Sequence, residues 1–361
     1  MIPILLYYNH TSTMRHTLFI GLLGILLAAC RSTGRDPIPM TPEFPEEVEI
    51  AGTPVGGELI INPPMGIEWR DSNLFLIQPG GCAAKVIRAS DASDVAIFGP
   101  VGKGPDEFLT PCFIRDEAND STFTILDVTQ RKIARYRTAD VGDSLRFEAV
   151  WRGSQPTTRD NLLYTRPIRM RSGFYVAQIV AGENTGNKGL VLLDSAWQIV
   201  RTFCDPLPEG GNEKSHFQGP LVSKGDTLFY AGITMPYIAA FKISDNGEIT
   251  TLWEQFITRP LYQVEADGFV RWTKDKHRAG IYDLRIKENH LIAAYSGKNY
   301  NLDTSILPET LLVFDLDGNP VKRIHLPYEH GRFALTPDDK TMYSTTFSGT
   351  QIMRYDLSSV L

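Results

Sequence analysis

Residue types capable of chemistry are present in this 361-residue chain, but few stand at spacings that would let them act together. The histidines are His10, His16, His216, His277, His290, His325 and His330, with no H-x-H or H-E-x-x-H pair among them, so spacing gives no transition-metal site. No C-x-x-C pair suggests a zinc knuckle or a thioredoxin-like centre, and no G-x-S-x-G turn presents a serine nucleophile. The turn Gly102-Lys103-Gly104-Pro105 is not a phosphate loop, because Pro105 removes an amide donor and no helical pattern follows it. What remains is a set of basic side chains, Arg115, Arg169, Arg171, Arg285 and Arg332, with His216, Gln218 and Tyr282 expected near them once the strands below are placed. Guanidinium groups brought together could hold an anionic or polyhydroxylated molecule.

A second kind of chemistry sits near the amino terminus. The first thirty residues hold no Asp or Glu, and the apolar run Leu18–Ala29 is 12 residues long, short of the ~20 that a bilayer span requires. Met14-Arg15-His16 precedes the run and Leu27-Ala28-Ala29-Cys30 ends it, the layout of a cleaved secretory signal. Leu-Ala-Ala-Cys resembles the lipobox of bacterial lipoproteins, which implies a Cys30 thiol that is acylated and becomes the mature terminus. Met14 reads as the start of that signal. Residues 30–45 carry Pro37, Pro39, Pro42 and Pro45 and read as an extended tether. Cys82, Cys112 and Cys204 remain, an odd number; a Cys82–Cys112 disulfide and buried free thiols are both compatible with it.

The elements that must position these residues are short β-rich runs separated by polar turns. One phrase recurs as Asp71–Ile77, Asp120–Leu126, Arg171–Val176, Gly225–Tyr230, Glu288–Ile292 and Asp339–Tyr343. The first apolar residues, at 74, 123, 174, 228, 291 and 342, lie 49, 51, 54, 63 and 51 residues apart, which suits four-stranded blades. The fold expected is all-β, a single six-bladed β-propeller over residues 46–361, behind a signal peptide at 1–29 and the tether at 30–45. Another all-β repeat or a pair of sandwiches is the alternative. The sixth unit ends without a fourth strand, and the unpaired apolar stretch Glu58–Ile61 is expected to supply it and close the ring. Innermost strands are expected at Gly66–Arg70, Pro111–Arg115, Pro167–Arg171, Gly219–Ser223, Ile281–Ile286 and Arg332–Thr336, with Arg115, Arg169, His216, Gln218 and Arg285 converging on one mouth of the channel.

Ala96–Phe108, with its Gly102-Lys103-Gly104-Pro105-Asp106-Glu107-Phe108 core, followed by Ile125-Leu126-Asp127 and Lys132–Tyr136, resembles the signature of six-bladed propeller lipoproteins of the TolB-like and NHL-repeat type. The chain departs from that pattern at Gly99-Pro100-Val101 and in a long insert at 254–280. The resemblance implies a Gram-negative envelope protein, lipid-anchored to a membrane, the outer membrane by preference. From the residues, Gly102, Gly104, Pro105, Glu107 and Phe108 read as a structural connection between blades. A net charge of -6 gives no field to hold nucleic acid. Phe256, Tyr262, Phe269 and Trp272 alternate with basic residues in the insert and could meet an envelope protein or a glycan. The leading function is therefore a binding or scaffolding propeller without a cofactor. Six-bladed relatives also include lactonases, which implies as the alternative a hydrolase or lyase with a divalent ion such as calcium, for which Glu68, Asp116, Asn161, Asp283 and Asp338 are scattered oxygen donors.

Overall fold

A computed structural model describes residues 37–59, 64–77, 81–116, 122–141, 144–155, 163–181, 189–207, 218–266, 270–338, 340–346 and 351–360. Among them every regular element is a β-strand, and the strands form six four-stranded blades. From the inside outward the first blade is Gly66–Arg70, Asn73–Ile77, Cys82–Arg88 and Asp94–Pro100. The second is Pro111–Asp116, Thr122–Asp127, Lys132–Val141 and Ser144–Ser154, and the third Leu163–Arg169, Tyr175–Ala181, Leu190–Leu193 and Ile199–Phe203. The fourth is Leu221–Lys224, Thr227–Ala231, Tyr237–Ile243 and Ile249–Phe256, and the fifth Ile281–Lys287, His290–Tyr295, Thr310–Asp315 and Pro320–His325. The sixth takes His330–Leu335, Thr341–Thr346 and Ile352–Asp356 from the end of the chain and Gly52–Val55 from its beginning.

Second strands such as Asn73–Ile77 are buried along their whole length, because each blade packs a neighbour on both faces and no position is left for water. The outer strand Ser144–Ser154 alternates between exposed and half-buried positions. The expected inner strands stand within a few residues of the observed ones. The largest offset is in the third blade, where the strand begins at Leu163 and carries a bulge between Thr165 and Ile168.

The closing strand differs from expectation. Gly52–Val55 pairs antiparallel with Ile352–Asp356, Gly52 opposite Tyr355 and Val55 opposite Ile352. An outer strand has little apolar face to bury, so the apolar run was the wrong guide: Leu59 instead enters the core beside Ile67 and Tyr343, while residues 60–61 lie outside the described set. Register is set at Gly52, where a Cβ would stand 2.6 Å from the Tyr355 ring. Pro54 fits because only an edge strand tolerates a missing donor.

The tether is also shorter than expected, because residues 38–45 are laid onto the blades. Phe256 N–H donates to Pro39 O at 2.9 Å and Thr41 N–H to Phe256 O at 2.8 Å, while Phe44 packs edge-on against Phe314. Glu47–Glu49 then runs parallel to Arg323–His325 as a fifth strand on the fifth blade. The amino-terminal strap thus passes over the rims of blades four, five and six in turn.

Candidate functional site

The G-x-G-P-x-E-F segment links the first blade to the second. Gly99 has φ +63°, and a Cβ there would meet the Phe108 ring at 2.6 Å. Phe108 is buried with Phe98, Phe123 and Tyr136. Gly104 N–H donates to Glu107 Oε2 at 2.8 Å, closing the turn. Lys132 Nζ lies 4.3 Å from the Phe108 ring centroid and donates to the carbonyls of Gly104 (3.0 Å) and Glu107. Asp127 accepts from the amides of Leu109 and Gln130 at 2.5 and 2.8 Å. Burial acts against its charge, but these donors outweigh it and hold the carboxyl below the usual range. Gly102, Gly104, Pro105, Glu107 and Phe108 therefore sit in a loop whose polar groups are turned onto the protein itself.

Arg285 occupies the axis rather than a mouth. Its Nη2 donates to Ile67 O and Phe333 O, both at 2.7 Å, and its Nε donates to Phe333 O at 3.0 Å. Nη1 faces Glu68 at 3.3 Å and Nη2 faces Asp283 at 3.4 Å. One guanidinium thereby ties the fifth blade to the sixth and first, with its donors committed to backbone and carboxylates.

Inner strands share one direction around the axis, as the parallel pairing of Ile168 with Arg115 shows for two of them. Arg70, Arg169 and Lys224 end their strands, so they stand at the exit face. There Arg70 Nη1 donates to Thr122 O of the next blade at 3.2 Å, and Lys224 Nζ reaches Asn289 Oδ1 of the next blade at 3.0 Å. Arg169 holds the equivalent position. Gln218 precedes its inner strand and belongs to the entry face, at least roughly 10 Å from the exit end across that four-residue strand. Arg169 and Gln218 therefore do not share a mouth. His216 and the side chain of Arg115 lie outside the described residues, as does Cys30.

At the entry face the six inner strands enclose a cavity of about 100 Å³. Gly66 and Glu68 line it from the first blade, Cys112 and Phe113 from the second, Arg166 and Ile168 from the third, Leu221 from the fourth, Asp283 from the fifth and Arg332 from the sixth. Glu68 and Asp283 are also the carboxylates that hold Arg285, so that network borders the cavity. Burial pushes the Cys112 thiol up to about 11, against the pull of Arg166. Tyr282, 9% exposed, has a hydroxyl with no hydrogen-bond partner among the described residues, and the charge of Arg332 acts on it.

Arg166 was not singled out by sequence. It has φ +48° inside the strand bulge, and an isolated arginine between Thr165 and Pro167 gives no signal of that geometry. Among the described residues no three His, Cys, Asp or Glu side chains converge on a point that could hold a metal ion. Glu68 and Asp283 reach the axis but are engaged by Arg285, so they do not form an open set of oxygen ligands. Among the described residues Cys82, Cys112 and Cys204 form no disulfide.

No protein-family model matches the chain, and no curated protein is similar enough in sequence to stand as a relative. The backbone is similar to that of an exported protein of Bacteroides fragilis, with a TM-score of 0.54 and 11% identity, over 88% of this chain and 98% of that one. It is similar also to Raptor of Chaetomium thermophilum, with a TM-score of 0.50 and 11% identity, covering 85% of this chain and 29% of the longer protein. A gluconolactonase of Xanthomonas campestris matches at a TM-score of 0.48 and 13% identity, over 91% of this chain and 99% of that one. At such identities the likeness is one of fold, and the class it defines is the β-propeller.

Proposed function

We propose that the chain is a lipid-anchored binding propeller of the cell envelope, of the TolB-like and NHL-repeat type, that takes a small anionic or polyhydroxylated molecule in its axial cavity. The observation that carries this reading is the cavity to which all six blades contribute, with Arg166 and Arg332 on its wall and an apolar lining between them. The signal-like residues 14–29 and Cys30 support the envelope address. Arg285 belongs in this reading to the architecture.

Thermal shift of the lipidated protein against small carboxylates, phosphates and sugar acids tests it. A stabilising compound should lose about tenfold or more in affinity with Arg332→Ala or Arg166→Ala, the range for a hydrogen bond to a charged group, while Arg169→Ala at the exit face leaves binding intact. Equal binding by both cavity variants, or no stabilisation by any compound, overturns the cavity as the site. Lactone hydrolysis that needs added calcium and is lost with Glu68→Gln would replace binding with catalysis.

A further inference from the structure

The strap enters the fold beside the hairpin that the long insert builds. Ile38 is buried in one cluster with Phe256 and Val270, against which Tyr262 and Trp272 pack. The hairpin, Tyr262–Val264 with Val270–Trp272, follows the outer strand of the fourth blade directly. If Cys30 carries the lipid, as the proposed function holds, seven residues, or eight Cα–Cα steps, separate the anchor from Ile38. Fully extended they reach at most about 29 Å. The 324-residue unit 38–361 should be about 50 Å across, so this rim cannot stray from the bilayer by as much as the molecule's own width.

The exposed surface there suits a lipid headgroup layer. Arg259, Lys274 and Lys276 are exposed around the hairpin, with Leu261 44% and Met40 37% exposed beside them. Arg271 is neutralised by Glu265 at 2.6 Å, and Asp275 is the remaining exposed acid among the described residues 257–276. With Asp267, which lies outside the described residues, the stretch 257–276 carries four basic and three acidic side chains, a net charge of +1 on a chain of net charge -6. Basic side chains flanked by exposed apolar ones bind anionic membranes through attraction to headgroups and shallow apolar insertion.

We infer that the rim of the fourth blade, carrying the 257–276 hairpin, rests on an anionic lipid surface and fixes the propeller's orientation on the membrane. Amide hydrogen exchange on the lipidated full-length product, bound to vesicles of phosphatidylcholine with or without phosphatidylglycerol, tests it. Amides of 257–276 should exchange about tenfold more slowly on the anionic vesicles, while Asp94–Pro100 on the opposite blade is unchanged. The Arg259→Glu, Lys274→Glu, Lys276→Glu variant should float with vesicles as before but lose that protection. Equal exchange on both vesicle types overturns the inference, and so does protection that survives the charge reversal, which would mean that something other than lipid covers the rim. Failure of the protein to float at all overturns the lipid attachment itself, and flotation is read independently of exchange.

Discussion

Two junctions between blades solve the same problem with opposite materials. Blades one and two are joined by aromatic rings: Phe98 lies 4.7 Å from Tyr136, 4.7 Å from Phe147 and 5.3 Å from Phe123, under the Gly99–Phe108 loop. Where the first and last parts of the chain meet, Arg285 spans blades five, six and one with charge and hydrogen bonds, its partner Glu68 lying 217 residues away. A contiguous junction can be packed by residues close in sequence, and any of several rings could fill the space. A junction between distant segments needs a side chain long enough to touch three strands, and then every donor on it counts. The aromatic junction should therefore respond in proportion to the volume removed, and the polar one should fail as a unit.

Breaking the polar junction is expected to have the largest effect. Arg285→Ala leaves buried Asp283 and half-buried Glu68 without their cation and should cost about 3–5 kcal/mol in denaturant unfolding. Adding Asp283→Asn and Glu68→Gln should restore a large part of that loss; strict additivity would show that the three do not act together. Phe98→Ala should cost about 3–4 kcal/mol, as for other buried rings, and Phe98→Leu markedly less. A similar loss for both would mean the rings form a specific array rather than a filling.

The contrast sharpens with pH. His330 is 3% exposed, its Nε2 meets Tyr355 Oη at 2.6 Å, and burial pushes it down from 6.5 to about 4. Between those values the unfolded chain binds the proton and the native one does not, so stability rises with pH from about 4 to about 6.5 and is lost as the solution is acidified through that window. The shift corresponds to roughly 3 kcal/mol. His330→Asn should flatten that part of the profile, and an unchanged slope would place the acid sensitivity elsewhere. The smallest effect belongs to the motif loop, where Glu107→Gln should cost about 1 kcal/mol, since one charge-assisted bond to Gly104 becomes a neutral one. A large loss there would show that the loop governs the aromatic junction.

Much of the fold was legible because second strands carry unbroken apolar runs such as Leu74–Ile77 that recur with turn residues at a near-constant period. The closing strand was not, since Gly52-Thr53-Pro54-Val55 looks like a turn until Tyr355 is placed against it. The tether was read too long because prolines at 37–45 hide the two anchors, Ile38 and Phe44, between them. Arg285 drew attention as a binding residue for the reason that makes it structural: an arginine with free donors and one with none left are identical letters. Arg169 and Gln218 stand at opposite ends of their strands, a difference the sequence hides because periodicity locates strands but says less about which end of a strand a side chain occupies.

Ring closure by Gly52–Val55 also has a consequence in time. Gly52 pairs with Tyr355, so a strand made near the start waits for the strand made last, 303 residues later. At 5–20 residues per second, that interval is roughly 15–60 s of synthesis. Until then the sixth blade is unfinished and its edges can pair with any neighbouring strand. A product truncated before Ile352 would lack this clasp and leave the sixth blade with an open sheet edge.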